Sequence, residues 1–74
     1  MGMSSPTTKA EAREQIAKLQ GDIARLKADI SRLKPGLKGP SGSAARYSIA
    51  NHTDEIARKK ADIAKLRAKI PSLP

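Results

Sequence analysis

A seven-residue repeat of isoleucine and leucine occurs twice in this chain, on the two sides of a segment rich in glycine and proline. In the first half, apolar residues recur at alternating spacings of three and four, with Ile at heptad position a and Leu at d. In the second half, Ile recurs every seven residues at a, with Leu at d near the end. Such spacing lines one face of an α-helix with apolar side chains. The chain is therefore restricted to two amphipathic helices that bury these faces.

The ends of both helices are predicted from capping and helix-breaking residues. Thr8 followed by Glu11 matches a capping box, which opens a helix. Pro35 closes it, because proline disfavours helical backbone at the preceding residue. The short joint favours an antiparallel pair. We predict one all-α domain, a two-helix hairpin, with a disordered tail over 1–7, helix 1 over 8–34, a Gly/Pro loop over 35–43, helix 2 over 44–70 and a tail over 71–74.

The two halves are also similar residue by residue. Residues 22–34 read DIARLKADISRLK and residues 55–67 read EIARKKADIAKLR. Duplication of one helix and convergence on one heptad pattern both explain this similarity. The copies differ at position d, where Lys59 stands in place of Leu26, and His52 occupies d one heptad earlier.

These two polar residues make the first half of helix 2 the polar end of its helix interface. A buried lysine is costly unless it is paired or reaches solvent. We therefore expect the facing residues Leu26, Ile30 and Leu33 to be incompletely covered within the hairpin and to require another chain.

Self-association is predicted from size. A chain of 74 residues without cysteine has a small core and no disulfide to support it. We predict a homo-oligomer, a dimeric four-helix bundle first of all. The predicted oligomer or partner interface consists of the a and d residues Ile16, Leu19, Ile23, Leu26, Ile30, Leu33, Ile49, Ile56, Ile63, Leu66 and Ile70.

The flanks of this interface carry opposite charges, acidic at g and basic at e. Opposite flanks attract between parallel helices, whereas like flanks meet and repel in an antiparallel pair. These charges therefore favour association of the same helix from two different chains in parallel orientation. Acidic side chains also have basic neighbours four residues away in the same helix, and the pairs predicted there are Lys18 with Asp22, Arg25 with Asp29 and Arg58 with Asp62.

A formal net charge of +8 predicts an anionic partner. The leading hypothesis is an acidic protein, and the alternative is sequence-independent binding of nucleic acid. Tyr47 is the only aromatic residue, so base stacking is not expected. The predicted anion-binding residues are Lys27, Arg32, Lys34, Lys38, Arg46, Arg58, Lys60 and Arg67.

The glycine-rich joint supports a third hypothesis, in which an anionic nucleotide is sequestered between the helices. Backbone amides ahead of a helix favour anions, and Tyr47 and His52 would be possible ligand contacts. The lysine and hydroxyl residue that end a Walker loop are missing. A plain hinge is the simpler interpretation of the joint.

No catalytic residues, metal site or cofactor are predicted, because the chain lacks cysteine and its single histidine has no nucleophile nearby in the sequence. No apolar stretch is long enough to span a membrane. We expect a cytoplasmic protein. Its short length and its basic, cysteine-free composition would suit a phage or mobile-element accessory protein. In shape the predicted hairpin resembles small helical hairpins that dimerise into bundles, including RNA-binding plasmid regulators, but no shared motif carries residues across.

Overall fold

The computed structural model describes residues 5–40 and 42–74, and it is all-helical. Two long helices, α1 and α2, pair antiparallel as the predicted hairpin, and each is followed by a short 3-10 segment. In chain order the elements are α1 at Lys9–Leu33, a 3-10 segment at Lys34–Lys38, α2 at Gly42–Lys69 and a 3-10 segment at Ile70–Ser72.

Helix α1 begins with a side-chain cap. The Thr8 hydroxyl accepts a hydrogen bond from the Glu11 backbone N–H at 3.1 Å, as the capping-box pattern predicts. The Glu11 carboxylate returns to the backbone N–H of Thr7, at 3.0 Å, and not to that of Thr8. Pro6 is buried. The structure thus differs from the predicted disordered tail at residues 5–7, while residues 1–4 lie outside the described residues.

The joint is more regular than the loop predicted over 35–43. A 3-10 segment continues from α1 through Lys38, and α2 already begins at Gly42. The Gly39 N–H donates to the Gly36 carbonyl at 3.2 Å, and the Gly42 N–H donates to the Gly39 carbonyl at 3.1 Å. A Cβ atom at Gly42 would lie 2.8 Å from the Leu37 carbonyl oxygen. Only glycine therefore fits where α2 starts.

The hydrophobic core lies between the helices, toward the end remote from the joint. Partly buried Leu26, Ile30 and Ile70 extend it. Ala12, at position d one heptad before Leu19, has no exposed surface. The buried core cluster consists of Ile16, Leu19, Ile23, Ile56, Ile63 and Leu66.

The interface near the joint is only partly covered, as the polar residues of α2 predict. Leu26, Ile30, Leu33 and Ile49 are all intermediate in exposure. Among the described residues, Tyr47 is the only large hydrophobic side chain that is mainly exposed, at 72%. The hairpin covers the rest of its stripe at least in part.

At the end of the hairpin remote from the joint, the start of α1 is hydrogen-bonded to the last residue of the chain. The Lys9 N–H donates a hydrogen bond of 2.9 Å to the Pro74 carbonyl. The residues predicted as a C-terminal tail, 71–74, thus include a 3-10 segment and a contact with the start of α1. The resulting molecule is a rod of 53 × 19 × 15 Å.

Candidate functional site

One side of the rod is an open groove between the two helices, formed by e-position residues. Gln20 of α1 and Lys60 and Arg67 of α2 border it, and Ile23 and Ile63 form its floor. Ala64, at position b, also lines this groove. The e columns of the two helices therefore meet on the same side, as expected for an antiparallel pair.

We call this the basic side and define it by the e-position cations of both helices. All of them are exposed, and none forms an ion pair with another described residue. The seven acidic residues of the chain all lie at positions c, f or g. The basic side therefore carries uncompensated positive charge. Its members are Arg13, Lys27, Lys34, Arg46, Lys60 and Arg67.

The opposite side of the rod carries both charges. Its groove is lined by residues at positions g, c and d of α1, namely Asp22, Arg25 and Leu26, and by Glu55 and Lys59 at positions g and d of α2. We call this the mixed-charge side. Acidic g residues alternate there with basic c residues, so the two signs largely cancel. The two sides of the rod thus differ in charge although both consist of helix flanks.

The polar d residues of α2 pair with acidic g residues of α1 across the helix interface. Lys59 Nζ lies 3.7 Å from Asp22 Oδ2, and His52 Nε2 lies 3.8 Å from Asp29 Oδ2. Asp22 and Asp29 are seven residues apart on α1, and His52 and Lys59 are seven residues apart on α2. This spacing matches a single antiparallel register, because a shift of either helix would separate both pairs at once.

The ion pairs within helices differ from the predicted ones. Lys18 pairs with Glu14 at 3.8 Å instead of with Asp22, and Arg32 pairs with Asp29 at 3.6 Å instead of Arg25. The reason is that Asp22 and Asp29 face α2. Twelve of the fifteen Lys and Arg side chains form no ion pair with another described residue.

The predicted anion-binding residues fall on different parts of the surface. Lys27, Lys34, Arg46, Lys60 and Arg67 belong to the basic side. Arg32 and Arg58 stand at position c, beside the acidic g column, and Lys38 lies in the joint. The repeat of Ile and Leu begins at Ile16 and therefore does not predict Arg13, which stands at position e of the preceding heptad. Ala12, buried at position d, marks the earlier heptad that would have identified it.

The joint gathers few of the groups expected to contact a nucleotide. A shallow groove beside it is lined by Arg32, Leu33, Gly36, Ala44, Ala45 and Ser48. Arg32 is already paired with Asp29, and His52 is turned toward the same carboxylate. Tyr47 is mainly exposed and does not line this groove. Neither of the possible ligand residues, Tyr47 and His52, lines this groove.

Residues 5–40 and 42–74 contain neither a metal-binding cluster nor a membrane-spanning helix. No group of three or more His, Cys, Asp or Glu side chains there is arranged to hold a metal ion. Neither helix in that part of the chain is long and apolar enough to cross a membrane.

Comparison with protein-family models, with curated proteins and with solved structures finds no match for this chain.

Proposed function

We propose that this protein is a non-enzymatic binding module that recognises an acidic protein through its basic side and does so as a self-associated hairpin. The observation that carries the proposal is the separation of charge between the two sides of the rod. Six exposed cations share the basic side with no carboxylate at position e or b. An anionic partner would relieve the repulsion among them.

The shape of the molecule supports self-association. Its accessible surface is 5480 Å², whereas a compact protein of this mass exposes about 4,400 Å². Its radius of gyration is 15.8 Å, against about 11 Å for a compact chain of this length. The excess surface is of the order that a second copy covers in a stable interface.

The mixed-charge side is the better surface for a second copy. A symmetric dimer places the same patch of both chains in contact. Two basic sides would repel each other, whereas a patch with both signs of charge can be complementary to itself. The partly buried Leu26 also lines this side. Self-association there would leave the basic side free for the acidic partner.

The proposal is tested by measuring the affinity of the protein for poly-glutamate and for duplex DNA at low and at near-physiological salt. We expect poly-glutamate to bind and the affinity to fall as salt rises, because exposed charges are screened over about 8 Å at 0.15 M. The double variant K60E/R67E should lose at least ~10-fold in affinity, equivalent to about 1.4 kcal/mol.

The matched control is R58E/K65E, which changes net charge by the same amount at c positions of the same helix. It should lose less affinity than K60E/R67E. Equal losses would contradict the basic side as the binding surface. Duplex DNA bound more tightly than poly-glutamate at near-physiological salt would favour the nucleic-acid function instead.

A further inference from the structure

The groove on the basic side combines positive charge with apolar surface. Ile23 and Ile63 form its floor but are core residues, each 7% exposed. Ala64, which also lines the groove, is exposed. Lys60 and Arg67 border it with exposed cations whose stems also contribute apolar surface. A phosphate backbone would use the cations and leave the apolar surface of Ala64 and of the Lys60 and Arg67 stems unmatched. A partner with both apolar and acidic groups would use both features.

The spacing of the groove fits an α-helix. Ile23 lies on α1, while Lys60 and Arg67 stand one heptad apart on α2, about 10.5 Å at 1.5 Å per residue. A helix with apolar residues at heptad spacing and acidic residues beside them repeats at the same distance. Helices commonly bind proteins by laying an apolar face in such a groove.

We infer that the acidic partner is an amphipathic α-helix that lies in this groove, with its apolar face on Ala64 and on the stems of Lys60 and Arg67, and with its carboxylates beside the two cationic groups. The inference rests on the proposed function and specifies the kind of partner. A second copy of the hairpin suits the groove less well. Its own apolar stripes are at least partly buried between α1 and α2, and its basic side would repel the groove.

The test uses two peptides of about 28 residues, long enough for a helix of about 42 Å. One peptide has Leu at a and d and Glu at e and g of every heptad, and the other has the same composition in scrambled order. We expect the amphipathic peptide to bind about tenfold more tightly than the scrambled one, equivalent to about 1.4 kcal/mol. If binding depended on charge alone, the two peptides would bind to the protein with equal affinity.

Two arginine variants separate filling of the groove from charge. A64R places a long side chain in the groove and adds a positive charge, whereas A61R adds the same charge at an exposed position that does not line the groove. A64R should weaken binding of the amphipathic peptide by about tenfold relative to A61R. Binding by charge alone predicts that both variants bind at least as well as the unmodified protein.

The unmodified protein provides a second readout that needs no variant. In NMR spectra, the amphipathic peptide should shift the amide signals of Ile23, Ile63 and Ala64 more than those of Leu26 and Lys59 on the mixed-charge side. Larger shifts on the mixed-charge side would overturn the inference.

The outcomes also distinguish the inference from the proposed function. Equal binding of both peptides, with A64R and A61R alike, would overturn the helix as partner and leave recognition of an acidic protein intact. No binding of either peptide would overturn both. Loss of self-association in A64R but not in A61R would assign the groove to a second copy and overturn the inference.

Discussion

At the scale of single residues, Lys59 shows how a polar residue is accommodated in a helix interface. Its side chain is 28% exposed and reaches Asp22, which is itself 48% exposed. The ion pair is thus partly solvated, and such pairs contribute at most about 1 kcal/mol. Lys59 therefore contributes more to the register of the two helices than to their stability.

The substitution Lys59→Leu should raise the melting temperature. A leucine would extend the buried cluster toward Leu26 and gain roughly 1 kcal/mol of apolar burial beyond the weak ion pair that it removes. In a chain of this size that gain corresponds to about 4–8 °C. Circular dichroism at a fixed protein concentration measures the change.

Lys65→Leu is the control, because Lys65 is exposed at position c of the same helix. It should leave the melting temperature nearly unchanged. A clear drop for Lys59→Leu would mean that the charge of Lys59 stabilises the fold. The sequence could predict that Lys59 needs a partner or solvent, but it could not predict Asp22. The partner depends on the register, which only the packed hairpin defines.

At the scale of helices and their joint, the heptads and caps predicted most of what the structure has. The heptad spacing of Ile and Leu identified both helices, and Thr8 with Glu11 identified the start of α1. The joint was predicted less well. Its glycines and prolines indicate that the chain turns, but they do not specify the 3-10 segment through Lys38 or the close contact of Gly42 with Leu37.

Two glycines should respond in opposite ways to substitution by alanine. Gly42→Ala brings a methyl group to 2.8 Å from the Leu37 carbonyl oxygen, which forces the backbone of the joint to move. Overpacking of this kind costs about 1–3 kcal/mol. Gly21→Ala lies inside α1 with nothing within 4 Å of the new Cβ, and it should gain about 1 kcal/mol from helix propensity.

Urea denaturation of both variants measures the two free energies of unfolding. Gly21→Ala serves as the control for Gly42→Ala, because the chemical change is the same. A Gly42→Ala variant as stable as the parent would show that the joint adapts at little cost, and the close contact with Leu37 would then be unimportant for the hairpin.

At the scale of the whole molecule, the protein is a rod whose surface exceeds that of a compact chain. The predicted oligomer depends on this excess. The melting temperature should rise with protein concentration, because association stabilises the folded state by mass action. Sedimentation at micromolar concentration should give a mass above the 7.9 kDa of one chain.

A single copy that melts cooperatively at a temperature independent of concentration would contradict self-association. The sequence could predict the shortage of core, which follows from length and the absence of cysteine. It could not predict how far the hairpin alone covers its apolar stripe. Leu26, Ile30 and Leu33 are each partly exposed, and Lys59 and His52 are partly buried in the same interface, beside Asp22 and Asp29.

The unequal charge of the two sides also gives the rod an electric moment perpendicular to its long axis. In the field of a negatively charged surface this moment exerts a torque. The rod will roll until Lys60, Arg67 and the other e-position cations face that surface, before any side chain touches it. If the basic side binds the partner as proposed, encounters should therefore begin in a productive orientation more often than random collision allows, and this advantage should shrink as ionic strength rises.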